Sequence, residues 1–198
     1  MEKPLTSVPI YTIGYGNRSI GEFIELLKRY GIQYLVDIRS QPYSRYNPNF
    51  SKDALAQHLK QQQIRYIFMG DTLGGRPADT SCYLDGRVDY VKVREKAFYQ
   101  RGIGYLHTAW EKQLPIALMC SEAKPQECHR GKLIGNTLIE QNIEVAHIDE
   151  AGITKTQEDI NQLFTGGQLS LFDQESALAQ NEKIGFSRKK YAPTKESA

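Results

Sequence analysis

The feature that most constrains this chain is an alternation. Residues 8–13, 34–38, 64–69, 115–120 and 144–148 are short apolar runs of strand length. Between them lie stretches with apolar residues at helical spacing. Ile20, Phe23, Ile24 and Leu27 follow Ser19 and Glu22, which have capping-box spacing, and Gly31 stands where that helix should end. Leu55 and Leu59 mark a helix over 51–62, and Leu133, Ile134 and Leu138 mark another over 126–141. Residues 89–113 read as helix in two pieces, broken near Gly102 and Gly104. Residues 70–87, rich in Gly, Asp and Arg, read as a long surface loop. Strand followed by helix, repeated to residue 150, requires parallel neighbours joined by crossovers, with helices on the sheet's faces. The expected fold is therefore α/β. Residues 8–150 form a single three-layer Rossmann-like domain with a mostly parallel sheet, and residues 151–198 form a short helix to Phe164 and an extended C-terminal tail.

Composition removes several function classes. With 40% hydrophobic and 24% charged residues the chain is of ordinary globular type. No run approaches the roughly 18 apolar residues of a membrane helix, and Met1-Glu2-Lys3-Pro4 lacks the order of a secretory signal. Three cysteines, Cys82, Cys120 and Cys128, are an odd number and argue against a disulfide framework. A reducing cytoplasm is the expected location. A net charge of +2 is too small for bulk attraction of nucleic acid, so any such contact must be local.

Parallel sheets bind ligands beyond the carboxyl ends of their strands, and the unusual polar residues fall there. Gly14, Tyr15, Gly16 and Arg18 follow the first strand. Asp37 closes the second, followed by Arg39, Tyr43, Ser44 and Arg45. Gly74, Gly75 and Arg76 follow the third. Cys120, Glu122, Cys128, His129 and Arg130 follow the fourth. Gly14-x-Gly16 lacks the third glycine of a dinucleotide fingerprint, so no cofactor is expected. Asp37 and Arg39 share a strand face. They read either as a structural ion pair or as an acid/base group beside an anion clamp. Arg39, Arg45, Arg76 and Arg130 on one rim suit phosphate or carboxylate. Tyr15 or Tyr43 is available to stack on a base.

Three readings of the Cys120 to Arg130 segment stay open. Cys120, Cys128 and His129 have metal-ligand chemistry, but their spacing is not that of paired zinc knuckles and a fourth ligand is not evident, so no metal is assigned. Cys120, ending a strand, reads as a thiolate nucleophile if Arg130 lowers its pKa. Alternatively both cysteines pack as small apolar groups while His129 and Arg130 reach the site from the first turn of a helix, with Glu122 as acid or base.

The tail carries one further signal. Gln168-Leu169-Ser170-Leu171-Phe172 places three apolar side chains in a polar stretch. It resembles the pentapeptide that docks on the bacterial sliding clamp, where a Gln makes polar contacts and a Leu-Phe pair fills an apolar pocket.

The motifs Thr12-Ile-Gly-Tyr-Gly-Asn17, Val36-Asp-Ile-Arg39, Pro42-Tyr-Ser-Arg45, Asn47-Pro-Asn-Phe50, Leu73-Gly-Gly-Arg76 and Leu118-Met-Cys-Ser-Glu122 running to Cys128-His-Arg130 occur in order over about residues 10–150. In these the chain resembles the family known as domain of unknown function 488. The resemblance implies a compact α/β domain with a pocket built from those motifs; it implies no settled reaction. The Asp-x-Arg strand and strand-terminal cysteine are also loosely similar to rhodanese-type sulfurtransferases, but the short Gly-rich loop of that family is not present after Cys120.

The expected function is a DNA-maintenance enzyme, a hydrolase, glycosylase or nuclease, that takes nucleic acid or a nucleotide. Arginines hold phosphate, and Asp37 or Glu122 moves protons. The alternatives are a Cys120 thiol enzyme and a non-catalytic anion-binding adaptor recruited to the clamp. The tail reading makes its own prediction: clamp protein captured from solution by the full chain is lost on Phe172→Ala. Capture that persists in the variant, or none by the parent, removes the clamp as a partner.

Overall fold

The computed structural model describes residues 8–164; the pentapeptide at 168–172 lies outside them. β1 (Ile10–Gly14) leads to α1 (Ile20–Arg29). The Ser19 side chain accepts from the Glu22 backbone N–H, and the Glu22 carboxylate accepts from the Ser19 N–H at 2.8 Å, which closes the capping box. After the helix, Gly31 turns the chain with φ +65°, where a Cβ would be strained. β2 (Tyr34–Asp37), α2 (Lys52–Gln61) and β3 (Arg65–Phe68) follow within one or two residues of their expected bounds.

Residues 70–87 are not a plain surface loop. They form α3 (Gly70–Leu73), a 3-10 turn at Thr80–Cys82, and a hairpin of β4 (Tyr83–Leu84) with β5 (Arg87–Val88). Leu73, Cys82 and Val88 enter the core, while Asp71, Arg76, Asp79 and Asp85 stay outside. Single apolar residues inserted at irregular intervals carry no period, so the polar majority hid them. Next come α4 (Tyr90–Arg94) and α5 (Ala97–Glu111). The break lies at Glu95 and Lys96 rather than at the glycines. Gly102 is inside α5, where a Cβ would come within 2.7 Å of Leu73, so it marks close packing and not a helix end.

β6 (Ile116–Cys120) is buried along its whole length. The helix expected from 126 begins later. A 3-10 turn at Pro125–Glu127 precedes Cys128, whose backbone is extended (φ −116°, ψ 150°) and cannot continue a helix. A π-helical turn at Arg130–Gly135 then runs into α6 (Asn136–Glu140). β7 (Val145–Ile148), β8 (Thr154–Thr156) and α7 (Gln157–Phe164) complete the described chain. β8 has no buried residue, and so no apolar pattern announced it.

The six-stranded sheet has the order β3-β2-β6-β1-β7-β8, parallel except for β8 against β7. Alternating side chains divide the core in two. Ile10, Val36 and Leu118 join the helices α3 to α6 on one face, and Ile13, Leu35 and Met119 join α1 and α2 on the other. The fold is thus a mostly parallel α/β sheet flanked by helices, and 154–164 extends that sheet and packs on it. No described helix is long and apolar enough to cross a membrane.

One buried polar chain ties β1, β7 and α7. Gln157 Oε1 accepts from His147 Nε2 at 2.7 Å, which leaves Nδ1 to accept from the Thr12 hydroxyl at 2.7 Å. Burial, with the positive Arg130 nearby, lowers the His147 pKa from 6.5 to about 3. The unfolded chain therefore takes up a proton near pH 6.5 that the folded chain refuses. Stability from this group is full above that pH and falls below it, by up to about 1.4 kcal/mol per pH unit. Urea unfolding between about pH 6.5 and 4 should show this slope, and His147→Asn should flatten it; an unchanged slope would place the acid sensitivity elsewhere.

Candidate functional site

Three central strands end at one level. Gly14 lies opposite Cys120, and Asp37 opposite Met119. The chain beyond β1 stays paired there, with Tyr15 N–H donating to Cys120 O and Gly16 N–H to Ser121 O. Above this edge, the segments after β1, β2, α3 and β6 enclose a cleft of about 1020 Å³. Cys120, Glu122, Cys128 and His129 line it from the β6 side. Arg39 and Arg76 contribute charge, and Tyr15, Tyr43, Tyr83 and Tyr90 contribute rings.

The sulfur side is tightly built. Cys120 Sγ donates to Glu122 Oε2 at 2.9 Å, and Ser121 Oγ donates to the same oxygen at 3.1 Å. His129 Nδ1 stands 3.7 Å from Cys120 Sγ and 3.6 Å from Cys128 Sγ. Its Nε2 donates to Ile38 O at 3.2 Å. Cys128 beside it and burial push the Cys120 thiol well up. Burial alone would raise Glu122, but the Cys120 contact and the His129 field outweigh it and hold the carboxyl at about 2. Burial works against a charged His129, yet Cys120 and Glu122 raise its pKa. Gly75 makes this packing possible, since a Cβ there would come within 2.7 Å of His129 Nδ1.

Asp37 and Arg39 lie across the sheet from the sulfurs. Arg39 Nε and Nη2 donate to the two Asp37 oxygens at 2.9 and 2.6 Å. The Arg39 backbone N–H and the Tyr66 hydroxyl also donate to that carboxylate, at 3.1 and 2.7 Å. Burial lowers the Arg39 pKa, and the Asp37 bonds more than reverse it. Burial, then Asp37, raises the Tyr66 hydroxyl. Asp37 is fully buried and does not line the cleft, so of its two readings the ion pair is the one the geometry displays. Arg39 does line the cleft, and its Nη1 has no hydrogen-bond partner among the described residues.

The four-arginine rim is not assembled. Arg39 and Arg76 reach the cleft. Arg45 is exposed and lies outside its lining. Arg130 is fully buried, and donates to Glu122 O at 2.6 Å and Ala123 O at 2.7 Å. Arg18 likewise donates to Gly14 O and Asp149 O. Periodicity cannot report that these guanidinium groups bond backbone carbonyls, because Gly14, Glu122 and Ala123 sit at strand ends and in irregular turns and Asp149 comes from beyond β7. Ser44 is buried and bonds Tyr15 and Asn47, so it braces the loop. The Tyr15 ring stacks on Phe50, centroids 4.3 Å apart, with the Arg39 guanidinium 5.5 Å from its centre; exposed Tyr43 is the freer ring. Sequence reasoning missed Ser121, Tyr83, Tyr90 and the Tyr66 bond to Asp37. Tyr83 and Tyr90 lay in or beside the stretch read as loop, and no sequence signal marked them.

A family model described as Domain of unknown function DUF488 matches residues 19–136. No curated protein matches the chain.

The two partners of Asp37 should differ in weight. Asp37→Asn strands the Arg39 charge in the interior and is expected to cost about 3–5 kcal/mol. Tyr66→Phe removes a single bond to a charged group and is expected to cost about 1.5 kcal/mol. Urea unfolding distinguishes them; equal losses would mean that Asp37 does not anchor Arg39.

Proposed function

The chain belongs to the DUF488 family, and from the geometry of its cleft we propose a hydrolase that takes a nucleotide or nucleic acid. The observation that carries this reading is the Glu122 carboxylate, poised beside Cys120 and lining the same cleft as Arg39, Arg76 and the exposed Tyr43 ring. Hydrolysis needs a group that accepts a proton from water at neutral pH. Glu122 is the ionised carboxylate lining the cleft and is the group placed to accept it. The arginines supply positive charge for a phosphate, and Tyr43 supplies a face for a base. Asp37 then serves as a positioning residue that aims Arg39, and Glu122 is the acid/base group. Work on DNA fits this chemistry, since an enzyme brought to DNA by another protein needs no large basic surface of its own.

The thiol alternative draws less from the same geometry. Cys120 sits beside Cys128 and donates to Glu122, an arrangement that favours its protonated form.

The test is turnover by the purified full chain on a panel of nucleoside phosphates and of single-stranded, abasic and deaminated oligonucleotides, with products identified by mass spectrometry. Glu122→Gln is expected to lower kcat by about 10²–10⁴-fold. Arg76→Ala is expected to raise KM about tenfold with kcat little changed, as loss of a charged contact does. Binding without turnover would overturn the hydrolase in favour of the adaptor, and undiminished kcat in Glu122→Gln would remove the carboxylate from the chemistry.

A further inference from the structure

The sulfur and imidazole atoms at the cleft are spaced for an ion. A tetrahedral metal with bonds of about 2.3 Å to sulfur and about 2.05 Å to nitrogen holds those atoms about 3.6 Å apart. His129 Nδ1 lies 3.7 Å from Cys120 Sγ and 3.6 Å from Cys128 Sγ, and all three atoms lie within 4.8 Å of one another. The two nitrogen–sulfur edges of a coordination tetrahedron are thus present.

The surroundings match as well. Ile38 O can only accept, so the 3.2 Å contact makes His129 Nε2 the N–H nitrogen. In a neutral ring Nδ1 then carries the lone pair, and it is the atom that faces both sulfurs. A metal-bound imidazole almost always donates its other N–H to a carbonyl, carboxylate or water in this way. The Arg130 backbone N–H donates to Cys128 Sγ at 3.5 Å, which fixes the sulfur's position. Each ligand has a separate backbone support: Cys120 ends β6, Cys128 is extended before the helix, and His129 opens it. The π-helical turn directly after His129 is a distortion often found at functional sites.

The geometry points to a site for one zinc-class ion held by Cys120 Sγ, Cys128 Sγ and His129 Nδ1, with Glu122 beside the fourth position. Thiolate and imidazole donors select zinc over the harder oxygen-seeking cations. Binding takes up the ion and releases the two thiol protons. Three protein ligands leave the fourth position for water, as in catalytic rather than structural zinc centres. Resting on the hydrolase reading, the ion serves to activate a water. Metal-bound water gives a proton to the Glu122 carboxylate and becomes hydroxide. The hydroxide adds to the electrophilic carbon or phosphorus of the substrate. The bond to the leaving group breaks, and Glu122 returns its proton to that group. One water is consumed, and no electrons leave the system.

The site is testable without substrate. The full chain, purified without chelator, is expected to carry one zinc per molecule by plasma mass spectrometry. Chelated protein titrated with cobalt(II) is expected to show thiolate charge-transfer and tetrahedral d–d absorption, with a break at one equivalent. Cys128→Ser and His129→Gln should each weaken cobalt binding by more than about 100-fold, beyond the loss caused by removing a group that only hydrogen-bonds a ligand. Glu122→Gln should keep the ion and lose turnover. Circular dichroism of each variant separates ligand loss from misfolding, and Cys120→Ser supplies a third ligand variant. Absence of a stoichiometric ion together with absence of the cobalt–thiolate band would overturn the site, as would unchanged cobalt affinity in the ligand variants. Hydrolysis that survives complete chelation would overturn the metal role while leaving the hydrolase standing; a bound ion in a protein that turns over nothing on the panel would uphold the site and remove the hydrolase.

Discussion

The buried Arg130 guanidinium holds this molecule's working end together. It lies in the first turn after His129 and is fully enclosed. Instead of a carboxylate it bonds the carbonyls of Glu122 and Ala123, at 2.6 and 2.7 Å. Burying a charge is costly unless its donors are met; Nη1 and Nη2 meet theirs in those two bonds, while Nε has no hydrogen-bond partner among the described residues. Their geometric result is that the segment after β6 folds back onto the start of the next helix. Cys120 and Glu122 are thereby carried to Cys128 and His129. Gly14 belongs to the same arrangement: a Cβ there would collide with the Glu122 carbonyl and with Arg130 itself. The glycine after β1 thus serves the packing of a loop more than 100 positions along the chain.

The sheet separates two kinds of polar work. On the α1/α2 side, Asp37 accepts four bonds and fixes Arg39, with Tyr66 closing the carboxylate. On the other side, two sulfurs, an imidazole and a carboxylate gather within contact distance. The cleft lies over the strand ends, so both sets reach it although their strand residues face opposite ways. Charge for holding an anion and groups for moving a proton thus start from opposite faces of the sheet and meet where His129 Nε2 donates to Ile38 O, between Asp37 and Arg39.

Much of the framework was legible in the sequence because its causes are local. The Ser19–Glu22 box, the turn at Gly31 and the apolar runs of β1, β2, β3, β6 and β7 each report themselves within a few residues. The strand-end rule then placed Cys120, Glu122, Cys128 and His129 at one edge. The hairpin of β4 and β5, the packed Gly102 and the late start of the helix after Cys128 were not legible. Gly102 depends on Leu73 of a different helix; the hairpin turns on Asp85-Gly86, both at positive φ, a local signal lost within the polar stretch; and the helix after Cys128 starts late because a 3-10 turn at Pro125–Glu127 leaves Cys128 extended.

From local pattern alone came an alternating α/β chain, the ends of its strands, and a set of polar residues gathered at them. Only the tertiary structure decided what those residues do for one another. It turned Arg18 and Arg130 inward to backbone carbonyls, spent Asp37 on an ion pair, and set two thiols around one imidazole nitrogen. Strand and helix periods fix the side of an element on which a residue lies. Hydrogen bonds and coordination depend on distances of a few ångströms between segments as far apart as Ile38 and His129, and those distances are set when the layers pack.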